Sequence, residues 1–404
     1  MFRKILSCQR TFSTSGISYQ SLLNARIEND KFVVLENSQE KLKFPGIWLR
    51  DNCQCGSCFD KNTQSRKIDW ENFPKDVKID SIESNSNNLN IKWSDDHKSS
   101  FDYDWLKKRD FSKTSQNTYL SKYYRPKYKS WNKEGFEKIR SSYFDYNDII
   151  HNDEALKDWL ESLAVYGVTF IKNNPKDKNV ARKLIDRIGF IRQTTYGEEY
   201  IVKARPDATN QAYLSNKLQM HSDLPYYEYT PGVNLLHYLV QTKTNGGSNL
   251  LVDGFYVADL MRREHPEHYK LLTETVVDWN DIASENGVPF HNIYRAPVIC
   301  LDMEGNCRRV NFSTPQRDTH FNVDVNIVPD WYDALRKFIE IVYKEAVHFK
   351  NNEGDVLCFN NIRLLHGRTG YDDTDTNVRY VIGAFIDWDI IYSKLRVLKN
   401  AKYN

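Results

Sequence analysis

Met220-His221-Ser222-Asp223-Leu224-Pro225 places an imidazole and a carboxylate two positions apart in the chain. On a β-strand, or at its outgoing edge, residues i and i+2 point to the same side. His221 and Asp223 are therefore predicted to bind one metal ion together. His366, in the stretch Asn361-Ile362-Arg363-Leu364-Leu365-His366-Gly367-Arg368, offers a third ligand. Two histidines and one carboxylate on one face of an iron ion leave positions open for a co-substrate and O2.

Two similar pairs elsewhere in the chain are weaker candidates for a metal site. His151-Asn152-Asp153 opens a predicted helix, where its Asn or Asp is typical of an N-cap, and His265-Pro266-Glu267 interrupts a helical stretch with a proline. His221 is singled out because it combines with His366 and with Arg379. A guanidinium at Arg379 can hold a dicarboxylate by a bidentate ion pair.

Size and composition set limits on the fold and on the partners. The chain has 404 residues, enough for two domains or one large one, and 40% hydrophobic and 13% aromatic residues can form a sizeable core. The 56 basic and 54 acidic residues give a net charge of +2, so no general attraction to nucleic acid or membranes is expected. No run of about 18 apolar residues exists, and we predict no membrane span.

The N-terminus differs from the rest of the chain. It is rich in Ser and Thr, has no acidic residue before Glu28, and carries the basic residues Arg3, Lys4, Arg10 and Arg26. This composition is typical of a mitochondrial transit peptide. We predict that residues 1–18 are such a peptide and that the protein is mitochondrial. The alternatives are a merely disordered terminus and a cytoplasmic protein.

Three of the seven cysteines form a tight cluster. Cys53, Cys55 and Cys58 lie close together with Gly56 between them to bend the chain, whereas the other cysteines are scattered. The pattern favours a metal site in a reducing compartment over a disulfide framework. Three thiols can occupy three corners of a tetrahedron, and His97 is a candidate fourth ligand of a closed structural zinc site. Such a site would stabilise a small β domain.

Two helices are predicted ahead of the main strands. Apolar side chains recur on one face over 154–166 and 179–188, and each stretch ends at a glycine, Gly167 and Gly189. Between them, Val168-Thr169-Phe170-Ile171 is predicted to be a buried strand.

Strand-like runs dominate the chain after about residue 191, and helices interrupt them at 255–265 and 331–346. Strands that return to one another after long insertions favour a double-sheet jelly roll, whose interior is wide enough for a small ligand. We therefore predict a mainly β protein with helices. Its parts are a zinc-binding β domain over 19–110, a linker over 111–145 and a jelly-roll (double-stranded β-helix) domain over 146–404.

Several longer motifs resemble those of the 2-oxoglutarate-dependent dioxygenases, and within them the family of gamma-butyrobetaine dioxygenase and trimethyllysine dioxygenase. The resemblance covers nearly all of the chain after the presequence. It is carried by Cys55, Cys58 and the stretches 48–53, 246–255, 354–356, 363–368, 387–389 and 393–398. Pro225 after Asp223, and Asp387-Trp388-Asp389 near the end, resemble the butyrobetaine branch more.

This resemblance implies the ligands of both metals. It implies structural zinc on Cys53, Cys55, Cys58 and His97, and Fe(II) on His221, Asp223 and His366. It also implies that Arg379, helped by Asn249, binds the far carboxylate of 2-oxoglutarate.

The substrate implied by the resemblance is a small trimethylammonium cation with a carboxylate tail. Such a cation donates no N–H hydrogen bond and is best held by aromatic faces. The family's aromatic positions fall on Tyr196, Tyr200, Tyr213 and Phe385, and its carboxylate-binding positions on Asn210 and Asn311. Tyr200 and Phe385 depart from the tryptophan and tyrosine that are usual there. Both are aromatic, so the cation–π attraction is kept, weaker by up to about 1 kcal/mol.

The resemblance implies hydroxylation of gamma-butyrobetaine to L-carnitine, with O2 consumed, succinate and CO2 released, and ascorbate as reductant. A homodimer is expected, and nucleic acid and membranes are not expected as partners. The first alternative is a trimethyllysine dioxygenase, which the transit-like N-terminus favours. The others are a non-enzymatic zinc-stabilised binding protein and a taurine-type oxygenase of small acids, which the aromatic positions oppose.

Overall fold

The computed structural model describes residues 23–399 except 207, 209 and 286. The chain divides into two compact units, the first ending at Leu120 and the second beginning at Ser121. The predicted transit peptide, residues 1–18, lies outside the described residues. Within the described ranges, no helix has both the length and the apolar character needed to cross a bilayer.

Short antiparallel strands build the first unit. Its strands are β1 (Asn24–Glu28), β2 (Phe32–Glu36), β3 (Lys41–Pro45), β4 (Phe59–Asp60), β5 (Ser65–Arg66), β6 (Ile79–Ser84), β7 (Asn88–Trp93) and β8 (Lys98–Asp102). Its helices are α1 (Gly46–Asp51), α2 (Tyr103–Lys107) and α3 (Lys113–Tyr119). The order of strands is β1-β2-β3 in one sheet and β6-β7-β8 in another, and β4 pairs with β5.

The first unit has its own core. In β3, Leu42 and Phe44 are buried while the lysines between and before them are exposed. This alternation is expected of a sheet that has one face on the core and the other exposed to solvent. Phe111 extends this unit beyond the predicted boundary at residue 110. Its ring packs 6.2 Å from the Phe44 ring and 5.3 Å from the Trp48 ring.

The stretch 111–145, predicted to be a linker, is largely folded. It holds α3, a π-helix (Leu120–Tyr124), α4 (Lys133–Ser141) and β9 (Phe144–Asp145). Phe136 of α4 is fully buried, with its ring 5.2 Å from the Phe349 ring and 6.1 Å from the Phe170 ring. The part of this stretch beyond Ser121 is therefore packed into the core of the second unit.

Two sheets form the centre of the second unit. After β9, its strands are β10 (Val168–Lys172), β11 (Glu199–Val202), β12 (Leu218–His221), β13 (Val233–Val240), β14 (Asn249–Asp253), β15 (Val277–Glu285), β16 (Val288–Ala296), β17 (Ile299–Leu301), β18 (Cys307–Val310), β19 (Val347–Phe349), β20 (Val356–Asn360), β21 (Leu364–Arg368) and β22 (Tyr380–Ile386). The larger sheet has the order β11-β22-β13-β20-β10-β9 and the smaller β12-β21-β14-β19. Neighbours are antiparallel except β9 and β10. Two hairpins, β15-β16 and β17-β18, are separate.

The two central sheets share one core cluster. The larger sheet contributes Val168, Phe170, Tyr238, Leu357, Phe359 and Val381, and the smaller contributes Leu251, Val347, Phe349 and Leu364. Because each sheet buries one face in the same core, the pair forms a double-sheet jelly roll. The predicted fold class of the oxygenase unit is thus confirmed, as a mixed sheet with helices.

Helices cover the other face of the larger sheet. They are α5 (Tyr146–His151), α6 (Asp153–Tyr166), α7 (Val180–Asp186) and α11 (Trp388–Leu398). The Asn152 side chain caps α6 by accepting from the backbone N–H of Glu154 and Ala155, and Gly167, at φ 76°, ends it. The predicted helix over 154–166 is therefore confirmed.

The remaining helices are α8 (Gly254–Glu264), α9 (Pro266–Glu274), α10 (Val328–Glu345) and two 3-10 helices, Gln211–Tyr213 and Val325–Ile327. The helices predicted at 255–265 and 331–346 are confirmed. His151 ends α5 and His265 precedes Pro266 at the start of α9. Neither belongs to a metal-binding cluster within the part of the chain that the structure describes.

Candidate active site

His221 and His366 lie side by side on paired strands. β12 pairs with β21 so that the two histidines are directly opposite, and their ring centroids are 4.2 Å apart. Asp223 follows β12, and its Oδ1 lies 3.3 Å from His221 Nε2 and 3.5 Å from His366 Nε2. One ligand atom from each residue lies within 4.8 Å of the others. The structure thus brings together three predicted ligands that are far apart in the sequence.

The charge states of these side chains suit a divalent metal. Burial raises the pKa of the Asp223 carboxyl, but His366 and His221 outweigh burial and lower that pKa to about 2. Burial lowers the pKa of His366 to about 4. At neutral pH the site therefore offers an ionised carboxylate and a neutral imidazole, the forms that bind metal. Two histidines and one carboxylate are a donor set that fits Fe(II).

Polar groups fix the orientation of two of the three ligands, His221 and Asp223, whereas the buried Nδ1 of His366 has no hydrogen-bond partner among the described residues. His221 Nδ1 lies 2.8 Å from the carbonyl of Gln219, to which it donates, so Nε2 is left to face Asp223. Asn234 Nδ2 donates to Asp223 Oδ2 at 2.7 Å. Asn361 holds the backbone of Asp223: its Oδ1 accepts from Asp223 N at 2.8 Å and its Nδ2 donates to Asp223 O at 3.0 Å. Supporting bonds of this kind set the direction of metal ligands.

Leu224 makes an unusual turn directly after Asp223. Its φ of 54° lies in the left-handed region, which costs a bulky residue about 1–3 kcal/mol and persists only where the surroundings enforce it. Asn361 holds the residue before it. On the other side, Asn311 Nδ2 donates to Pro225 O at 3.1 Å. Two fully buried asparagines therefore enforce the turn that positions Asp223.

A cavity of about 670 Å³, part of it open to solvent, adjoins these ligands. His221 and Asp223 lie in its wall. The predicted substrate residues that also line it are Tyr196, Tyr200, Tyr213, Phe385 and Asn210. The Tyr200 and Phe385 rings stack with centroids 5.2 Å apart. The structure therefore gathers four predicted aromatic residues around one space next to the metal ligands.

Tyr200 reaches the cavity because Gly383 is its cross-strand neighbour on β22. A Cβ atom at residue 383 would collide with the Tyr200 ring. The Tyr200 hydroxyl donates to Asn234 Oδ1 at 2.9 Å. Since Asn234 also donates to Asp223, one amide links the aromatic wall to the carboxylate ligand.

The two predicted carboxylate-binding asparagines lie in different places. Asn210 lines the cavity, where its Nδ2 donates to Tyr196 OH at 3.1 Å and its Oδ1 accepts from Ala212 N at 2.9 Å. Asn311 is not among the residues lining the cavity; it is buried at the turn and bonded to Pro225. The structure therefore brings only Asn210 to the cavity wall.

Arg379 and Asn249 share a neighbour. Arg379 is buried just before β22, with its guanidinium carbon 5.3 Å from the centroid of the Tyr238 ring. The hydroxyl of Tyr238 donates to Asn249 Oδ1 at 2.9 Å. Arg368 is directly opposite Asn249 on the paired strands. Burial, and then the charge of Arg379, lower the pKa of Arg368 to about 10.

This group of side chains contains buried donors without acceptors. Arg379 Nε, Arg368 Nε and Asn249 Nδ2 have no hydrogen-bond partner in the structure. Each unpaired donor costs about 1–3 kcal/mol. Within the described residues neither arginine forms an ion pair with an acid. A carboxylate of 2-oxoglutarate fits this site because it supplies both the acceptors and the negative charge.

Comparison with known proteins identifies the family. Residues 127–384 match the family described as taurine catabolism dioxygenase TauD, TfdA family, and residues 24–107 match gamma-butyrobetaine hydroxylase-like, N-terminal. Gamma-butyrobetaine dioxygenase of Homo sapiens is 34% identical over 373 residues, covering 92% of this chain and 95% of that protein. The chain belongs to the gamma-butyrobetaine dioxygenase family. The protein is therefore a 2-oxoglutarate-dependent dioxygenase that uses Fe(II).

Two further relatives have lower sequence identity to this chain. Gamma-butyrobetaine dioxygenase of Pseudomonas sp. (strain AK-1) is 31% identical, covering 88% of this chain and 90% of that protein. The mitochondrial trimethyllysine dioxygenase of Homo sapiens is 28% identical, covering 94% of this chain and 88% of that protein. Membership in this dioxygenase family excludes the alternative of a non-enzymatic binding protein.

A second cluster of metal-binding side chains lies in the first unit. His97, in the turn between β7 and β8, has its Nε2 atom close to three thiols: Cys53 Sγ at 3.3 Å, Cys58 Sγ at 3.5 Å and Cys55 Sγ at 3.7 Å. The four ligand atoms lie within 4.8 Å of one another. Asp95 Oδ1 accepts from His97 N at 3.1 Å, and Arg50 forms a 2.9 Å ion pair with Asp95. The four residues predicted from spacing thus meet at one point.

Sequence reasoning missed residues that support the site. Asn361 and Arg368 lie at the two ends of the motif around His366. Their place in this motif is the one feature of the sequence that points to them. Arg368 donates to the carbonyls of Ala212, Leu214 and Asn216. It therefore fixes the segment that carries Tyr213. Asn234 had no signal, because it is a single polar residue at the start of an apolar strand.

Proposed function

We propose that this dioxygenase hydroxylates gamma-butyrobetaine to L-carnitine, while 2-oxoglutarate and O2 yield succinate, CO2 and the new hydroxyl group. The observation that carries the proposal is the cavity in which aromatic rings stand beside His221 and Asp223. A quaternary ammonium ion has no N–H to donate, so aromatic faces are its best ligands. Relatives named gamma-butyrobetaine dioxygenase are 34% and 31% identical.

In this proposal, His221, Asp223 and His366 hold Fe(II), and Arg379 and Asn249 bind the far carboxylate of 2-oxoglutarate. The iron, together with O2 and 2-oxoglutarate, supplies the oxidising chemistry. The unpaired donors at Arg379 Nε and Asn249 Nδ2 support the second assignment. The protein's own contribution is to orient the co-substrate and substrate toward the same point.

The cavity wall orients the substrate in this proposal. Tyr196, Tyr200, Tyr213 and Phe385 surround the trimethylammonium group, and Asn210, whose Nδ2 donates to Tyr196 OH in the same wall, binds the carboxylate. Holding both groups fixes which of the substrate carbons faces His221 and Asp223. Asn234 accepts a hydrogen bond from Tyr200 OH and donates one to Asp223 Oδ2, so it links the aromatic wall to the metal ligand. A role for Asn311 in binding the substrate carboxylate stays a prediction.

The second candidate is hydroxylation of trimethyllysine, which the mitochondrial trimethyllysine dioxygenases among the relatives favour. Trimethyllysine carries an α-ammonium group that gamma-butyrobetaine lacks. Binding of this group requires a negatively charged hydrogen-bond acceptor, such as a carboxylate. Apart from Asp223, no acidic residue lines the cavity among the residues described. With Asp223 bound to the metal, gamma-butyrobetaine is the better fit.

The test is turnover of both substrates. Purified protein is incubated with Fe(II), ascorbate, 2-oxoglutarate and either gamma-butyrobetaine or trimethyllysine, and succinate and hydroxylated product are quantified. We expect L-carnitine in an amount equal to the succinate. Hydroxylation of trimethyllysine without carnitine would overturn the proposal.

A matched pair of variants tests the aromatic wall. Tyr213→Ala is expected to raise the KM for gamma-butyrobetaine at least about tenfold, while Tyr229→Ala, on a side chain that is 73% exposed, leaves it unchanged. Unchanged turnover in Tyr213→Ala would instead favour an oxygenase of small acids without a quaternary cation.

We also propose that Cys53, Cys55, Cys58 and His97 bind one structural Zn²⁺. Three thiols and one imidazole complete a tetrahedron and leave no position for substrate. Metal analysis of the full chain tests this. One zinc per chain that survives removal of the iron supports the proposal, and a chain free of zinc contradicts it.

The mitochondrial location and the homodimer stay predictions. N-terminal sequencing of the cellular protein tests the first, and sedimentation of the purified protein tests the second.

A further inference from the structure

Asp281 lies behind the aromatic wall of the cavity. It is on β15, paired with Asn292 of β16. Its Oδ2 accepts a hydrogen bond from Tyr196 OH at 2.7 Å. Tyr226 OH lies 3.2 Å from the same hydroxyl. Both tyrosines line the cavity, whereas Asp281 does not. The carboxylate therefore acts on the cavity through a tyrosine.

Asp281 lacks a cationic partner, unlike its neighbours on the hairpin. No Lys, Arg or His of the described ranges lies within the 4.0 Å of an ion pair with it. Asp278, three residues earlier on β15, pairs with Arg295 at 2.5 Å, and Glu285 pairs with Arg205 at 3.4 Å. Asp281 is partly exposed, and no ion pair neutralises its charge within the described residues. A cationic ligand on the other side of Tyr196 would be attracted to that charge.

The Tyr196 hydroxyl has its hydrogen-bonding capacity used within the protein. Burial raises the pKa of this phenol, so it keeps its proton and donates to Asp281. The same oxygen accepts from Asn210 Nδ2 at 3.1 Å. Tyr196 therefore offers a ligand its ring and not its hydroxyl. A phenol that donates to a carboxylate has a more electron-rich ring, which attracts a cation more strongly.

We infer that Asp281 is a specificity-determining positioning residue: it fixes the Tyr196 ring by accepting its hydroxyl proton in a hydrogen bond, and it adds the negative charge that makes the cavity prefer a permanent cation over a neutral group of the same shape. The inference rests on the proposed function, because it takes the trimethylammonium group as the ligand of the Tyr196 ring.

Binding of two ligands of equal shape tests this inference. Calorimetry without O2 measures the Kd of gamma-butyrobetaine, and of its neutral isostere with carbon in place of the quaternary nitrogen, for the protein loaded with Fe(II) and 2-oxoglutarate. Asp281→Asn keeps an acceptor for Tyr196 but removes the charge. We expect the Kd of gamma-butyrobetaine to rise about three- to tenfold and that of the isostere to change less than about twofold.

Asp278→Asn is the matched control, since that carboxylate is on the same strand but already neutralised by Arg295. It is expected to leave the ratio of the two Kd values unchanged. Tyr196→Phe keeps the ring and removes its bond to Asp281, so it is expected to lose part of the same selectivity. This second variant keeps the test decisive if Asp281→Asn folds poorly.

The outcomes separate the inference from the proposed function. Equal weakening of both ligands in Asp281→Asn would assign Asp281 a merely structural role and overturn the inference, and so would unchanged binding of both. A wild-type protein that binds neither ligand contradicts the proposed function itself. Wild-type binding and turnover of gamma-butyrobetaine, with selectivity lost in Asp281→Asn and in Tyr196→Phe, supports both.

Discussion

The two clusters of candidate metal ligands in this protein are built in opposite ways. Three donors of the first cluster come from one short loop, Cys53 to Cys58, and His97 completes a set of four. The second cluster has three donors, His221, Asp223 and His366, which two paired strands bring together from distant parts of the chain. Four donors close the coordination of a tetrahedral metal, whereas three leave positions open. The first is therefore called the closed cluster and the second the open cluster.

The protein environment of the two clusters differs as well. The first cluster is backed by the ion pair of Arg50 with Asp95. The second opens onto a cavity with aromatic walls. Buried donors without acceptors occur at Asn249, on the strand paired with that of His366, and at Arg379. The open positions of the three-donor cluster and the cavity beside it, which the four-donor cluster lacks, are what a substrate and a co-substrate require.

Removing a ligand of the open cluster should have the largest effect. Asp223→Ala deletes one of three donors, and we expect kcat/KM to fall at least about 1,000-fold because the iron is no longer held. The fold should persist, since Asn361 bonds the backbone of residue 223 and not its side chain. Turnover assays and urea unfolding measure the two effects. Asp153→Ala, in the similar His-x-Asp pair at the start of α6, is the control that should keep full activity.

Removing a ligand of the closed cluster should affect the fold and not the chemistry. With Zn²⁺ in this cluster as proposed, Cys58→Ser is expected to lower the affinity for zinc at least about 100-fold and to destabilise the fold, because three donors hold the ion less tightly and a structural zinc site contributes folding energy. Metal analysis should find the zinc lost and the iron retained, and thermal unfolding of the full chain should begin at a lower temperature. Cys300→Ser, outside both clusters, should change neither. Loss of iron together with zinc would contradict the separation of the two clusters.

Substitution of Arg379 tests its proposed role in binding 2-oxoglutarate. Arg379→Gln removes a buried charge, and we expect the KM for 2-oxoglutarate to rise about 10- to 100-fold, the usual consequence of losing one partner of a buried charged pair. The Kd of gamma-butyrobetaine should stay within about twofold, because Arg379 is not in the wall of the cavity. Arg336→Gln, on a side chain that is 81% exposed, is the control. Equal changes for both ligands would contradict the assigned role.

The closed cluster was easier to predict than the open one for a physical reason. Cys53, Cys55 and Cys58 are neighbours in sequence, so their spacing alone reports their geometry. The same holds for α6, whose cap at Asn152 and end at Gly167 are local contacts. His221 and His366 were singled out because Arg379 follows His366, and the resemblance to a family then supported the pair; their spacing reports no geometry, because strand pairing over such a distance is set by the whole sheet.

Some supporting residues of the open cluster had no signal in the sequence. Asn234 and Asp281 are ordinary polar residues there, and they take their roles from tertiary partners: Asn234 from Asp223 and Tyr200, and Asp281 from Tyr196. The length of the first unit was missed for a similar reason, since Phe111 belongs to it through rings at Phe44 and Trp48. Tertiary contacts, which no local pattern contains, decide these features.

The smallest expected effects concern the polar groups behind each cluster, and they should differ between the two. Asn234→Ala removes the donor to Asp223 Oδ2, and we expect the affinity for Fe(II) to fall about tenfold, because a set of three ligands depends on such support. Asp95→Asn keeps an acceptor for His97 N, and should change zinc affinity less than about threefold, since four donors largely define their own geometry. Tyr200→Phe, which removes only the other bond of Asn234, separates loss of support from repacking of the cavity wall. Metal titrations of the three variants measure these affinities. An effect of Asp95→Asn as large as that of Asn234→Ala would mean that the closed cluster depends on its supporting hydrogen bonds as much as the open cluster does.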